Sequence, residues 1–237
     1  VSLYNYTIMK KIILLLLAVV LLPVIGFAQK MQTEKPDYSQ IEKDIADPQS
    51  NFYYPKLLQR FQGYDTTMTL QEKRYVYYGF TFQKDYSPYG HSTFFDSLKK
   101  VLNKESHSSD ELMVIVRFTD SILATNPFDL QAMNYQLYAY DKLQKKSEFT
   151  RKLHQMRIIV DAMFSSGDGL TKKTAYYVIY TSHEYSLLNI MGFDFGGQQS
   201  LIEHYDFLKV SKNAQEIDGF YFDVSPCLNY LNRTLKK

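Results

Sequence analysis

Three side chains of the types that hydrolases use lie close together in the chain: Ser166, Asp168 and His183. A serine hydroxyl can attack a carbonyl carbon when a histidine takes its proton and an acid orients the histidine. Glu184 follows the histidine directly and adds a second carboxyl group. No serine of the chain lies in a G-x-S-x-G sequence, the usual turn around such a nucleophile. A hydrolase that uses Ser166, Asp168 and His183 is therefore one alternative for the function.

The same residues also have a structural interpretation, which we favour. Ser166-Gly-Asp-Gly169 has the composition of a turn, in which glycine supplies a positive φ and Asp168 binds neighbouring amides. His183 and Glu184 would then lie at the start of a short helix that ends at Gly192. Under this interpretation Asp168, His183 and Glu184 can contribute to a binding site without catalysis.

The five histidines give no pattern for a metal. They are His91, His107, His154, His183 and His204. None forms an H-x-x-x-H or H-E-x-x-H pair, although folding could bring His183 and His204 together beside Glu184 or Glu203. The sequence predicts neither a metal nor a cofactor.

Tyrosine is unusually frequent, with 21 Tyr and 16 Phe against no Trp. Aromatic residues are densest between Tyr75 and Tyr89, and they cannot all face one side of a helix. One interpretation is that they fill the layers between helices; the other is a contact surface, because tyrosine is both apolar and hydrogen-bonding. The residues predicted for that surface are Tyr77, Tyr78, Tyr86 and Tyr89.

The elements that would position these residues begin with a series of helices. Apolar residues recur at helical spacing behind six start signals. The signals are Pro55, Thr69-Leu-Gln-Glu72, Ser92, Ser109-Asp110, Asn126-Pro127 and Ser147. The later starts are spaced as in helical-hairpin repeats, and the segment from Asn126 to Leu143 resembles the first helix of a tetratricopeptide repeat. The sequence predicts helical hairpins of tetratricopeptide-like character.

The pattern changes after Ser166. Tyr176–Tyr180, Tyr205–Val210 and Gly219–Val224 are rich in aromatic and β-branched residues, which favour strands. His183–Met191 is predicted as a short helix between them. A small C-terminal antiparallel sheet would therefore pack on the helices, and the fold class is predicted as α+β.

The N-terminal segment Met9–Gln29 has the layout of a secretory signal. Two lysines precede an apolar run, and small residues precede the expected cleavage between Ala28 and Gln29. The alternative is an anchor that stays in the membrane, but the run is short for a span. We therefore expect residues 1–28 to be removed, residues 29–51 to form a polar linker and residues 52–237 to form one domain.

Charge and cysteine content limit the possible partners. Lys10 and Lys11 are the only charged side chains of residues 1–28, so the remainder has 25 basic and 25 acidic side chains. A neutral chain has little attraction for phosphate backbones, and we expect no nucleic acid partner. Cys227 is the only cysteine, so no disulfide can form within the chain.

Several short motifs, in this order, resemble the family known as domain of unknown function 4919. They are Tyr54-Pro-Lys-Leu-Leu-Gln-Arg-Phe61, Leu70, Tyr77-Tyr78-Gly79-Phe80, Tyr86-Ser-Pro-Tyr89, Ser166-Gly-Asp-Gly-Leu-Thr-Lys-Lys-Thr-Ala175, Glu184-Tyr185 and Tyr221-Phe-Asp223. The resemblance covers about Phe52 to Val224. It implies an exported protein of a Gram-negative bacterium and brings no established activity, cofactor or catalytic residue.

Together these observations favour a non-enzymatic protein that is exported to the periplasm or beyond and serves as a binding or scaffold module of the cell envelope. Its expected partner is a protein or peptide, with no membrane attachment after signal cleavage. The sequence leaves the oligomeric state open.

Overall fold

The structure is a computed structural model that describes residues 33–90 and 92–234. The signal predicted over residues 9–29, with its cleavage site at Ala28 and Gln29, lies outside these ranges. Within the described ranges, no helix combines the length and the apolar character needed to cross a membrane.

Helices dominate the first two thirds of the described chain, and strands follow. The α-helices are α1 (Tyr38–Ala46), α2 (Tyr54–Gln62), α3 (Leu70–Tyr78), α4 (Phe94–Leu102), α5 (Ser109–Thr125), α6 (Leu130–Lys142), α7 (Lys146–Phe164), α8 (Ser182–Ile190) and α9 (Ser225–Thr234). Short 3₁₀ helices span Gly79–Phe82 and Lys172–Thr174. The strands are β1 (Tyr176–Tyr177), β2 (Phe195–Ile202), β3 (Tyr205–Val210) and β4 (Gly219–Asp223).

Local sequence explains several of these boundaries. Thr69 and Glu72 form the predicted capping box at the start of α3, because each side chain bonds the backbone amide of the other residue. Ser108 and Glu111 form the same arrangement at α5. The series α5, α6 and α7 begins near the predicted starts, and α5 and α7 both pack against α6.

The N-terminal segment predicted as a polar linker contains α1. Asp37 caps this helix by accepting a hydrogen bond from the amide of Gln40 at 3.0 Å. Ile41 and Ile45 lie one turn apart, so both face inward and are 3 % and 4 % exposed. The core therefore includes residues before Phe52, where the domain was expected to start.

The four strands form one sheet in the order β1-β4-β3-β2. The pair β3–β4 is antiparallel as expected. β2, a strand that the sequence did not predict, also pairs antiparallel with β3, whereas β1 runs parallel to β4, so the sheet is mixed. The direction of β1 relative to β4 could not be predicted, because α8, β2 and β3 separate these two strands in the chain. The α+β class is confirmed: helices lie mainly in the N-terminal part and a small sheet follows.

Two apolar clusters hold these elements together. The larger cluster joins the helices α1, α2, α3, α7 and α8 to the sheet. Its fully buried residues include Phe61, Tyr77 and Phe222. The smaller lies among α4, α5 and α6 around Leu98 and Ile115. The candidate functional residues lie where α7, α8 and the sheet meet.

Candidate functional site

Three of the four tyrosines predicted for a contact surface are core residues. Tyr77 and Tyr78 are 0 % exposed and Tyr86 is 3 % exposed. Tyr86 donates to the carbonyl of Ile179 at 2.7 Å, so its hydroxyl is satisfied inside the protein. Only Tyr89, at 48 % exposed, reaches the surface. The Tyr86–Tyr89 segment thus buries one ring and exposes the other, which corrects the expectation that it presents both.

The Ser166–Gly169 segment is a turn, as the structural interpretation predicts. Asp168 accepts a hydrogen bond from the amide of Leu170 at 3.0 Å, and Gly169 has a φ of 72°. The Ser166 hydroxyl donates to the carbonyl of Met163 at 2.6 Å and accepts from the amide of Tyr177 at 2.9 Å. It joins the end of α7 to β1 and is only 3 % exposed.

His183 is a buried, fully partnered histidine. Its Nε2 donates to the carbonyl of Phe128 at 2.9 Å, which leaves Nδ1 as an acceptor. The hydroxyl of Tyr77 lies 2.7 Å from Nδ1 and donates to it, and the same hydroxyl accepts from the amide of Ile179 at 3.3 Å. With both ring nitrogens engaged, His183 is not paired with Ser166 or Asp168. The geometry therefore contradicts the nucleophile and base of the hydrolase alternative.

Burial decides the charge of His183. Desolvation lowers its pKa to about 4, against a smaller opposing effect of the bond to the Phe128 carbonyl. The imidazole is therefore neutral at pH 7. A neutral ring suits the chain of bonds from Ile179 through Tyr77 and His183 to Phe128, because Tyr77 and His183 each accept one hydrogen bond and donate another.

Glu184, the next residue, lies in a second buried polar group with Asp206 of β3. Glu184 is 0 % exposed and Asp206 is 6 % exposed. The side-chain amide of Gln199 connects them, with its Nε2 2.9 Å from Asp206 Oδ2 and 3.5 Å from Glu184 Oε2. Gln199 is itself exposed, so this acid pair lies one side chain below the surface.

Glu184 is protonated at neutral pH. Burial, the charge of Asp206 and a hydrogen bond with that residue raise the pKa of Glu184 to about 9. Its Oε1 is buried without a hydrogen-bond partner, an arrangement that a neutral acid tolerates better than a carboxylate. A protonated carboxyl group beside another carboxyl group can donate and accept protons.

Tyr185 lies on the outer side of the acid pair, next to Gln199. The Tyr185 hydroxyl donates to Gln199 Oε1, and Tyr185 is 37 % exposed. Burial, followed by the influence of Cys227, Asp206 and Glu184, raises the pKa of Tyr89. Of the residues predicted from sequence, Glu184 is the one that this polar group contains. Sequence reasoning missed Gln199 and Asp206, because no local motif marks a contact between α8 and two later strands.

An apolar cleft of 460 Å³ opens on another side of α8, at its C-terminal end. Apolar side chains from α7, the Asp168 turn, the end of α8 and the β4 region line it: Val160, Phe164, Leu170, Ile190, Met191, Phe193, Ile217 and Phe220. This volume is within the range of ligand sites, which are mostly apolar with a few polar groups.

Three charged residues lie at this cleft: Arg157, Asp161 and Asp168. Asp161 is engaged, since Lys73 Nζ lies 2.8 Å from its Oδ2 and Arg157 Nε lies 4.0 Å from the same atom. Asp168 is exposed and makes no ion pair with any described residue. The cleft therefore offers an apolar interior with one unpaired carboxylate beside it, at a residue that the sequence singled out.

His204 and His183 do not meet. His204 Nε2 lies 3.5 Å from Asp223 Oδ2, and its side chain is 44 % exposed, whereas His183 is buried beside Tyr77. Across residues 33–90 and 92–234, no three His, Cys, Asp or Glu side chains are grouped to hold a metal ion.

A family model described as "Domain of unknown function (DUF4919)" matches residues 39–233. The matched range includes the cleft, His183 and the acid pair. Neither the comparison with curated proteins nor that with solved structures found a match.

Proposed function

The chain belongs to the family of domain of unknown function 4919, and we propose that it acts as an exported binding module whose ligand site is the apolar cleft between α7, α8 and β4. The observation that carries this proposal is the cleft itself. Its volume is 460 Å³, and its lining combines apolar side chains from four segments with the unpaired carboxylate of Asp168.

The lining suggests the chemistry of the ligand. Leu170, 50 % exposed, and half-buried Ile217 leave apolar surface in contact with solvent, and covering it with an apolar group is favourable. A cation next to that group would lie close to Asp168. The ligand that fits is a peptide in which an apolar side chain stands beside lysine or arginine.

The rigid turn supports a preformed site. The amides of Asp168 and Gly169 both donate to the carbonyl of Thr174, at 3.0 Å and 2.8 Å. Because these bonds fix the backbone, Asp168 loses little conformational freedom when a ligand binds.

A comparison of two short blocked peptides tests the proposal. In one, leucine alternates with lysine; in the other, glutamate replaces lysine. We expect the lysine peptide to bind in a calorimetric titration and the glutamate peptide to bind at least about 5-fold more weakly. A ratio of this size is what one exposed ion pair with lysine, together with the charge repulsion that glutamate introduces, can produce. Equal affinity of the two peptides would contradict the role of Asp168, and no binding of either would contradict the site.

Export is the second part of the proposal, and it rests on the lysines and apolar run of residues 9–29. Expression of the full chain in a Gram-negative host, followed by N-terminal sequencing, tests it. We expect a mature N-terminus at Gln29 in the periplasmic fraction or the medium. An uncleaved chain in the cytoplasm would contradict export.

A further inference from the structure

The two faces of the sheet differ in burial. Along β3, buried Asp206 and Leu208 alternate with half-buried Tyr205 and Phe207, because successive side chains of a strand point to opposite faces. Tyr221 of β4 is the register partner of Phe207 and lies on the same face, where it is also half-buried. We call the face that carries Tyr205, Phe207 and Tyr221 the outer sheet face.

The rings of the outer sheet face do not belong to the core. Within the described residues, neither apolar cluster includes Tyr205, Phe207 or Tyr221, whereas Phe222 on the opposite face belongs to the larger cluster. Phe207 and Tyr221 pack on each other, with ring centroids 4.8 Å apart. The ring of Phe207 reaches over Gly219, where a Cβ would lie 2.5 Å from its Cζ. A solvated sheet face is usually polar, so these rings form a surface suited to a ligand.

Basic side chains lie on both sides of these rings. Lys172 Nζ is 5.8 Å from the ring centroid of Tyr205. Lys209 is exposed, lies two residues after Phe207 on the same face, and has its Cα about 13 Å from that of Tyr205. The outer sheet face therefore presents a cation at each end of its aromatic row.

Acidic side chains at this face leave the two cations accessible. The exposed carboxylate of Glu203 lies 3.5 Å from Lys172 Nζ, and so exposed an ion pair is weak enough for another carboxylate to replace it. Asp223 is on the same face but is only 2 % exposed, and it accepts hydrogen bonds from the amide and hydroxyl of Ser225. Within the described ranges Lys209 makes no ion pair. The charge that the face offers to a ligand is therefore positive.

We propose that the outer sheet face binds an acidic polysaccharide, whose sugar rings pack on Tyr205, Phe207 and Tyr221. The C–H faces of a pyranose carry partial positive charge, which suits the negative face of an aromatic ring. Carboxylates of the same polysaccharide pair with Lys172 and Lys209. A polymer that repeats rings and carboxylates along one chain can reach both lysines at once. This surface is separate from the cleft, and its ligand does not depend on the peptide proposed there.

Other occupants match the face less closely. A lipid bilayer takes up apolar side chains that protrude, whereas Phe207 and Tyr221 are half-buried. A nucleic acid favours a basic protein, but residues 29–237 carry equal numbers of acidic and basic side chains. A peptide that adds to a sheet pairs with an edge strand, and this surface is a face rather than an edge.

Electrophoresis in native gels that contain a polysaccharide tests the proposal. The probe is alginate, a polymer of uronic acids, and neutral dextran is the control polymer. We expect alginate to retard the wild type and dextran to leave its mobility unchanged. Phe207→Ser and Tyr221→Ser should each weaken alginate binding by about tenfold, as expected for loss of an aromatic contact. Tyr89→Ser is the matched control, since Tyr89 is 48 % exposed outside the sheet.

Charge variants separate this face from general attraction to a polyanion, and they do not disturb the aromatic rings. Lys209→Glu should weaken alginate binding by about threefold or more. Lys99→Glu makes the same change of charge at an exposed position of α4 and should have little effect. Absence of retardation by alginate would overturn the proposal, and so would equal effects of Lys209→Glu and Lys99→Glu. Tighter binding of a single-stranded oligothymidylate than of alginate would also overturn it, in favour of a nucleic acid ligand.

Discussion

The hydroxyl of Tyr77 donates a hydrogen bond to Nδ1 of His183 over 2.7 Å, and both residues are almost completely buried. This bond joins α3 to α8 across the main core. It removes His183 from any catalytic relay and makes it a neutral structural group. Its neighbour Glu184 is a neutral acid, so two adjacent titratable side chains are both uncharged at neutral pH.

Removing the Tyr77 hydroxyl is expected to be costly. Tyr77→Phe leaves Nδ1 of His183 and the amide of Ile179 buried without this partner, and each unpaired group costs about 1–3 kcal/mol. Urea unfolding measures the change in the free energy of unfolding. The control is Tyr75→Phe, which removes a half-buried bond to Asp44 and should cost under about 1 kcal/mol. Equal losses in the two variants would contradict the role of the His183 bond.

His183 is expected to destabilise the fold in acid. Its pKa is about 4 in the folded protein and 6.5 when exposed, so the unfolded chain binds more protons between these values. The contribution of His183 to the free energy of unfolding therefore falls as the pH decreases from 6.5 to 4, by up to about 1.4 kcal/mol per pH unit. His183→Gln should lack this contribution. Wild type and variant with parallel stability curves over this range would disprove the assignment.

Glu184 is expected to have the opposite effect. Its pKa rises from 4.5 to about 9 on folding, so the stability it contributes is complete below pH 4.5 and is lost as the pH increases toward 9. Glu184→Gln, measured by urea unfolding from pH 5 to 9, should abolish this loss. Tyr185→Phe keeps both carboxyl groups and should retain it. Between pH 4.5 and 6.5 the effects of His183 and Glu184 oppose each other, so each single variant should show a slope that the wild type hides.

The turn that holds Asp168 is expected to depend on Gly169. A Cβ there would lie 2.5 Å from Cε2 of Tyr176, in addition to the strain of a φ of 72°. Gly192 has a similar φ of 81° but no atom within 4 Å of such a Cβ. Gly192→Ala should therefore lower the free energy of unfolding by about 1–2 kcal/mol through backbone strain alone. Gly169→Ala should lower the free energy of unfolding further, and its melting temperature should fall clearly below that of Gly192→Ala. Equal shifts would show that the contact with Tyr176 is unimportant.

The sequence predicts best what local interactions determine. The Thr69–Glu72 capping box and the Ser166–Gly169 turn depend on residues a few positions apart, and both are present. The burial of Tyr77 and Tyr78 could not be read from composition, since tyrosine is common both in cores and at contact surfaces. Their exposure is set by packing against Phe128 and α7, which are distant in the chain.

Elements with weak local signals were missed. β2 contains Gly196 and Gly197 and lacks the alternation of a half-buried strand, so nothing in its sequence predicted it. The acid pair was missed for a related reason, because Asp206 meets Glu184 only after the sheet has formed against α8. The cleft likewise joins α7, α8 and residues near β4, and only Asp168 was identified beforehand.

The central claim is that the apolar cleft binds a peptide, and filling the cleft tests it most directly. Ile217→Trp places a larger side chain among the lining residues, and Met113→Trp makes a comparable apolar change on α5, away from the cleft. The measurement is the affinity of the leucine–lysine peptide for the wild type and both variants. We expect Ile217→Trp to weaken binding by about tenfold or more, a loss of 1.4 kcal/mol, and Met113→Trp to leave it unchanged. Unaltered binding to a correctly folded Ile217→Trp variant would contradict the account.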